Sequence, residues 1–60
     1  MLHVETFSSE SEDNLSKQVN YFLKQLDENM IKDIKFSSVA FILDNQQKIY
    51  FTAMIIYYVR

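Results

Sequence analysis

A chain of 60 residues makes one domain at most, and a domain this small buries only about 60% of the surface its unfolded chain exposes, so a single core is marginal. Cys is absent and His occurs once, which removes disulfides and a structural metal as supplementary staples and leaves oligomerisation. The net charge of −2, with both signs interspersed, gives no electrostatic footprint for nucleic acid or anionic lipid, and the lack of Gly excludes phosphate loops, dinucleotide fingerprints and nucleophile elbows, all of which need it.

The start, Met1-Leu2-His3-Val4-Glu5, has neither the basic residues nor the apolar run of a signal peptide. With no Cys for an oxidising compartment, the cytoplasm is the expected location. Leu2, Val4 and Thr6 alternate with His3, Glu5 and Phe7, the period-two pattern of a strand over about residues 2–8. Ser9-Glu10-Ser11-Glu12 has the form of a capping box, which predicts a helix over about 10–29. Glu10, Glu12 and Asp13 would then complement the positive end of the helix dipole. Leu15, Val19, Phe22, Leu23, Leu26 and Met30 trace one apolar stripe, with Lys17, Gln18, Lys24, Gln25 and Glu28 on the wet side. Without Gly to end the helix, Asn29 is the residue best able to take a left-handed cap.

Alternation returns after Ile31 and predicts a second strand over about 32–43, with Ile34, Phe36, Ser38, Ala40 and Ile42 on one face and Lys35, Ser37, Val39, Phe41 and Leu43 on the other. The polar stretch Asp44-Asn45-Gln46-Gln47 suits a hairpin turn. A third strand over about 47–59 places Ile49, Phe51, Ala53, Ile55, Tyr57 and Val59 on one face and Tyr50, Thr52, Met54, Ile56 and Tyr58 on the other. Ile49 to Val59 carries no charge, yet it is far shorter than the roughly 20 residues a spanning helix needs, and no membrane partner is expected.

Strand, helix, strand, strand predicts an α+β fold: a three-stranded antiparallel sheet in the order 1-3-2 with one helix on one face. Both faces of the third strand are apolar, and one helix covers only one. The second face is therefore expected to be buried by a homodimer or higher homo-oligomer, through Val39, Phe41, Tyr50, Met54, Ile56 and Tyr58 or through the opposite set. Periodicity alone does not say which set meets the helix.

Candidate chemistry is sparse. His3 has no identifiable nucleophile or acid beside it, and the cluster of Glu10, Glu12 and Asp13 falls short of the six to eight oxygens of a calcium site. No catalytic residue, metal ligand or cofactor is expected, and the chain reads as a non-enzyme. Glu10, Glu12, Asp13, Lys17 and Lys24 form a candidate surface for another protein. Two rival readings are a nucleic-acid module, with Lys17, Lys24, Lys32 and Lys35 on phosphates and Tyr50, Tyr57 and Tyr58 stacked on bases, and a nucleotide or other small-molecule binder in an oligomer cleft. Acidic balance and the lack of interleaved Arg weigh against nucleic acid.

The segments Val19-Asn20-Tyr21-Phe22-Leu23, Asp33-Ile34-Lys35-Phe36, Gln47-Lys48-Ile49-Tyr50 and Phe51-Thr52-Ala53-Met54-Ile55-Ile56-Tyr57 resemble a family of sporulation proteins of endospore-forming bacilli, of roughly this chain's 60 residues. The resemblance spans nearly the whole chain, with a departure in the Ser-rich approach Ser8 to Ser11. It implies relatives on phages of Gram-positive bacteria, no assigned catalysis, and no functional residue that carries over. Together the residues and the resemblance lead to a homo-oligomeric protein-interaction module, an inhibitor or adaptor of a larger bacterial protein, encoded by the host or by a phage.

Overall fold

The computed structural model describes residues 1–59. Its elements run β1 (Leu2–Ser9), α1 (Glu12–Leu23), a short 3-10 turn (Glu28–Met30), β2 (Ile31–Leu43) and β3 (Gln46–Tyr58). Both strand pairings are antiparallel and the sheet order is β1-β3-β2, as the crossover argument predicts. β1 lies against the second half of β3, from Leu2 opposite Tyr58 to Ser9 opposite Phe51. Hydrogen bonds between Met1 and Val59, at 3.1 and 2.9 Å, carry that ladder one residue further.

Parity is decided by the core. Ala53 and Ile55 of β3 are buried with Leu15 and Val19 of α1, and Phe7, Phe22, Leu23, Ile34, Phe51 and Tyr57 pack around them. Ile55 is fully shielded from water. Odd-numbered residues of β3 therefore lie on the helix side of the sheet and even-numbered ones face away. Beneath α1 the aromatic rings form a chain: Phe7 to Phe22 at 5.6 Å, Phe22 to Tyr57 at 5.4 Å and Tyr57 to His3 at 5.8 Å between centroids. Such tilted and edge contacts suit the ring quadrupoles.

The helix is shorter than the apolar stripe predicts. It ends at Leu23, with Lys24 as a right-handed cap, instead of running from 10 to 29. A length argument explains this. The three-stranded part of the sheet is about 24 Å long at ~3.3 Å per residue, and twenty helical residues would span about 30 Å and overshoot the point where β2 must begin. Twelve residues, about 18 Å, let the chain turn through Glu28–Met30 and start β2 opposite Tyr57. Asn29 lies in that 3-10 turn and is not a left-handed cap; among the described residues positive φ is confined to Asp44 and Asn45.

The N-terminal cap also differs from the predicted box. Ser9 still belongs to β1, and Ser11 is the N-cap, its hydroxyl accepting from the backbone N–H of Asn14 at 3.2 Å. Ser9 Oγ accepts from the N–H of Ser11 at 3.1 Å and from Asn14 Nδ2 at 3.0 Å, which braces the strand-to-helix corner. Glu10 falls outside the helix, leaving Glu12 and Asp13 as the acidic residues of its first turn.

The hairpin is tighter than the four polar residues suggest. Leu43 pairs with Gln46, so the turn is Asp44-Asn45 alone, with φ of 52° and 63°. Two successive positive φ values define the turn that matches the right-handed twist of paired strands. In the absence of Gly, Asp and Asn are the residues that reach this region most readily. Because β1 stops opposite Phe51, β2 and β3 continue from Val39 and Tyr50 to the turn as a two-stranded arm. The arm stretches the molecule to 47 × 19 × 12 Å.

Candidate interaction surface: the open face of the sheet

Register determines which side chains share the face away from α1. Leu2, Val4, Thr6 and Ser8 of β1 lie beside Tyr58, Ile56, Met54 and Thr52 of β3, and these in turn beside Asp33, Lys35 and Ser37 of β2. On the arm, Val39 pairs with Tyr50 and Phe41 with Lys48. All six residues put forward as an oligomer surface, Val39, Phe41, Tyr50, Met54, Ile56 and Tyr58, thus share one face, and that face is the open one. Val39, Phe41, Met54 and Tyr58 are exposed, and Tyr50 and Ile56 half-buried.

The face also holds exposed Leu2, Val4 and Leu43, which the residue-by-residue reading missed. Their signal was present in the alternation of β1 and β2, but only the pairing register places them beside the β3 row.

Two apolar zones are separated by a band of small hydroxyl side chains. Ser8, Thr52 and Ser37 stand in one row across the three strands, and the Ser37 and Thr52 hydroxyls are 2.8 Å apart. Because these residues are small, the face dips there into a shallow hollow of about 580 Å³, bounded by Thr6, Met54 and Lys35. At the arm end Phe41 and Tyr50 stack with centroids 5.5 Å apart and planes within 4°. At the other end Lys32, the extra residue of a bulge between Ile31 and Asp33, sits 5.6 Å over the ring of Tyr58.

Charges at the rim are mutually compensated. Lys35 pairs with Asp33 at 3.2 Å; its hydrogen bond, with the N–H of Ile34 at 2.8 Å, holds the Asp33 carboxyl below its ordinary value. The Glu10 carboxylate beside the Tyr50 hydroxyl pushes that phenol above its ordinary value of 10.0, first because it accepts a hydrogen bond from the protonated phenol and second because a phenolate there would face a like charge.

The other candidate surface is less coherent. Glu12, Asp13 and Lys17 lie on the first turns of α1, with Asp13 and Lys17 paired at 3.3 Å. Lys24 caps the far end of the helix, and Glu10 turns toward Tyr50. The lysines and tyrosines considered for nucleic acid are likewise divided: Lys17 and Lys24 are on or next to α1, Lys32 and Lys35 on β2, and Tyr57 on the helix side with Tyr50 and Tyr58 opposite. Among the described residues no group of three or more His, Asp or Glu side chains is placed to hold a metal ion, and no helix is long and apolar enough to cross a membrane.

These features define a small β-α-β-β protein whose most distinctive surface is a bare, largely apolar sheet face. Its family follows from comparison with known proteins: the family model described as Sporulation protein Cse60 matches residues 1–59, and the chain belongs to that family, in agreement with the segments that carry the resemblance. It is 40% identical over 58 residues to the sporulation protein cse60 of Bacillus subtilis (strain 168), a match covering 95% of this chain and 97% of that one. No solved structure matches the chain.

Proposed function

We propose that this sporulation-family protein is a non-catalytic interaction module that works as a homo-oligomer, two copies closing over each other's open sheet face while the polar side of α1 stays free for a larger bacterial protein that it inhibits or recruits. The observation that supports this reading is the exposure of Leu2, Val4, Val39, Phe41, Leu43, Met54 and Tyr58 on one face. Monomers rarely leave such a patch bare. At ~3.3 Å per residue and ~4.8 Å between strands the face projects about 500 Å². Side-chain relief raises the accessible area toward the roughly 800 Å² per partner of a standard interface.

A second copy is favoured by the arrangement along the face. A twofold axis along the hydroxyl row of Ser8, Thr52 and Ser37 sets each strand over its own copy in reverse, so that Tyr50 of one copy comes over Met54 of the other, and Phe41 over Asp33 beside Ile56. Tyr50 then meets an apolar side chain and hydroxyl meets hydroxyl, a self-complementarity of the kind a symmetric dimer uses.

Sedimentation equilibrium over a hundredfold concentration range, on the wild type and on Ile56→Lys, tests the reading. Dissociation of an oligomer by the lysine, with the circular dichroism of the fold retained, supports it. A folded monomer in both samples overturns it.

A further inference from the structure

The helix does not sit centrally on the sheet. It packs on β1 and β3 and leaves β2, the outer strand, with little cover on either face and none along its free edge. Phe36 and Ile42 project from β2 on the helix side, where closure of the open face does not reach them, and they are 65% and 77% exposed. We infer that β2 pairs antiparallel with β2 of a second copy about a twofold axis at Val39, joining two three-stranded sheets edge to edge. The inference adds a second contact to the proposed open-face dimer but stands on different residues.

Edge strands are ordinarily guarded by charge, proline, bulges or a covering element. In β2 these guards are confined to one end: Lys32, Asp33, Lys35 and the bulge between Ile31 and Asp33. Phe36 to Leu43 has no charge and no Pro, and its pairing with β3 is regular throughout. An edge of this composition is a template for another strand.

Geometry selects the register. A twofold axis perpendicular to the sheet keeps the two helix sides together, so a residue must face one of the same parity, and the axis must pass through a residue rather than between two. An axis at Val39 places Phe36 against Ile42 of the second copy, Ser38 against Ala40, Ser37 against Phe41 and Val39 against itself. The two exposed apolar side chains on the helix side then cover each other twice per dimer, the kind of cross-strand pair that stabilises a ladder. An axis at Ala40 sets Phe36 against Asp44 and Ile42 against Ser38, and one at Ser38 sets Phe36 against Ala40; neither brings the two exposed apolar side chains together.

The test is a charge swap read by sedimentation equilibrium on the full chain. Phe36 and Ile42 lie six residues apart on one strand, about 20 Å, so they interact only between copies. Phe36→Lys with Ile42→Lys opposes like charges and is expected to halve the associated mass. Phe36→Lys with Ile42→Glu opposes unlike charges and is expected to restore the wild-type mass. Exposure of both positions keeps the fold intact in each variant. A mass unchanged in the double-lysine variant, or one that stays low in the lysine–glutamate variant, overturns the edge pairing. Ile56→Lys, at the open face, reports on the other contact: a variant that stays dimeric is held by the edge, and adding the double-lysine change to it is then expected to leave a monomer.

Discussion

Phe41 and Tyr50 stack diagonally across the β2–β3 arm with ring centroids 5.5 Å apart and planes within 4° of parallel. The arm has no third strand at this level, since β1 ends opposite Phe51, and an isolated two-stranded hairpin is at best marginal in water. The stacked pair, with Glu10 beside the Tyr50 hydroxyl, ties the arm back to the segment that joins β1 to α1.

Titration of Tyr50 reads this tie directly. The nearby Glu10 carboxylate raises its pKa, so the protonated phenol is favoured in the folded state. The associated stability is complete below the ordinary tyrosine value and is lost as pH rises through the elevated one. Glu10→Gln is expected to bring the Tyr50 ionisation down toward 10.0, measured by ultraviolet difference spectra against a Tyr50→Phe control. An unchanged titration would show that Glu10 does not act on it.

The turn makes a second prediction. Asn45 holds φ at 63°, a region that costs an ordinary side chain roughly 1–2 kcal/mol. Asn45→Gly is expected to stabilise the fold by a few tenths of a kcal/mol, and Asn45→Val to destabilise it by about 1–2 kcal/mol. Urea midpoints at one fixed protein concentration measure both.

Helix initiation makes a third. Ser11→Ala removes the acceptor for the Asn14 N–H and is expected to cost about 1 kcal/mol. The same change at Ser16, exposed within α1, is expected to be neutral or slightly stabilising, since Ala has the higher helix propensity.

The core makes a fourth. Ile55 is the most deeply buried large side chain, in contact with the α1 stripe, and Ile55→Ala is expected to cost about 2–5 kcal/mol. A domain of this size commands only about 3–9 kcal/mol in all. The variant is therefore expected to be largely unfolded at 37 °C by circular dichroism, whereas Met54→Ala, on the open face, retains its fold.

Much of the fold was legible because strand and helix periods differ. The alternation after Ile31 and after Gln46 marks two strands, and the spacing from Leu15 to Leu23 marks a helix, whatever their surroundings. Local signals failed where two candidates were adjacent in sequence. Ser9 and Ser11 both offer a hydroxyl for capping, and the choice went to Ser11 because Ser9 is the last residue of β1 to pair with β3. Leu26 and Met30 continue the apolar stripe, yet the finite length of the sheet ends the helix before them.

The amino-acid sequence by itself determined the α+β class, the strand order and the surplus of apolar strand surface, because these depend on periodicity, chain length and handedness. Which surface is surplus was decided only in three dimensions. A strand apolar on both sides is symmetric in sequence, and the asymmetry arises when Leu15 and Val19 pack on Ala53 and Ile55, leaving Met54, Ile56 and Tyr58 on the other side. The lateral placement of α1 over β1 and β3, which leaves Phe36 and Ile42 exposed on the outer strand, is likewise a tertiary outcome: periodicity assigns a residue to a face, but only packing determines how far across that face the helix reaches.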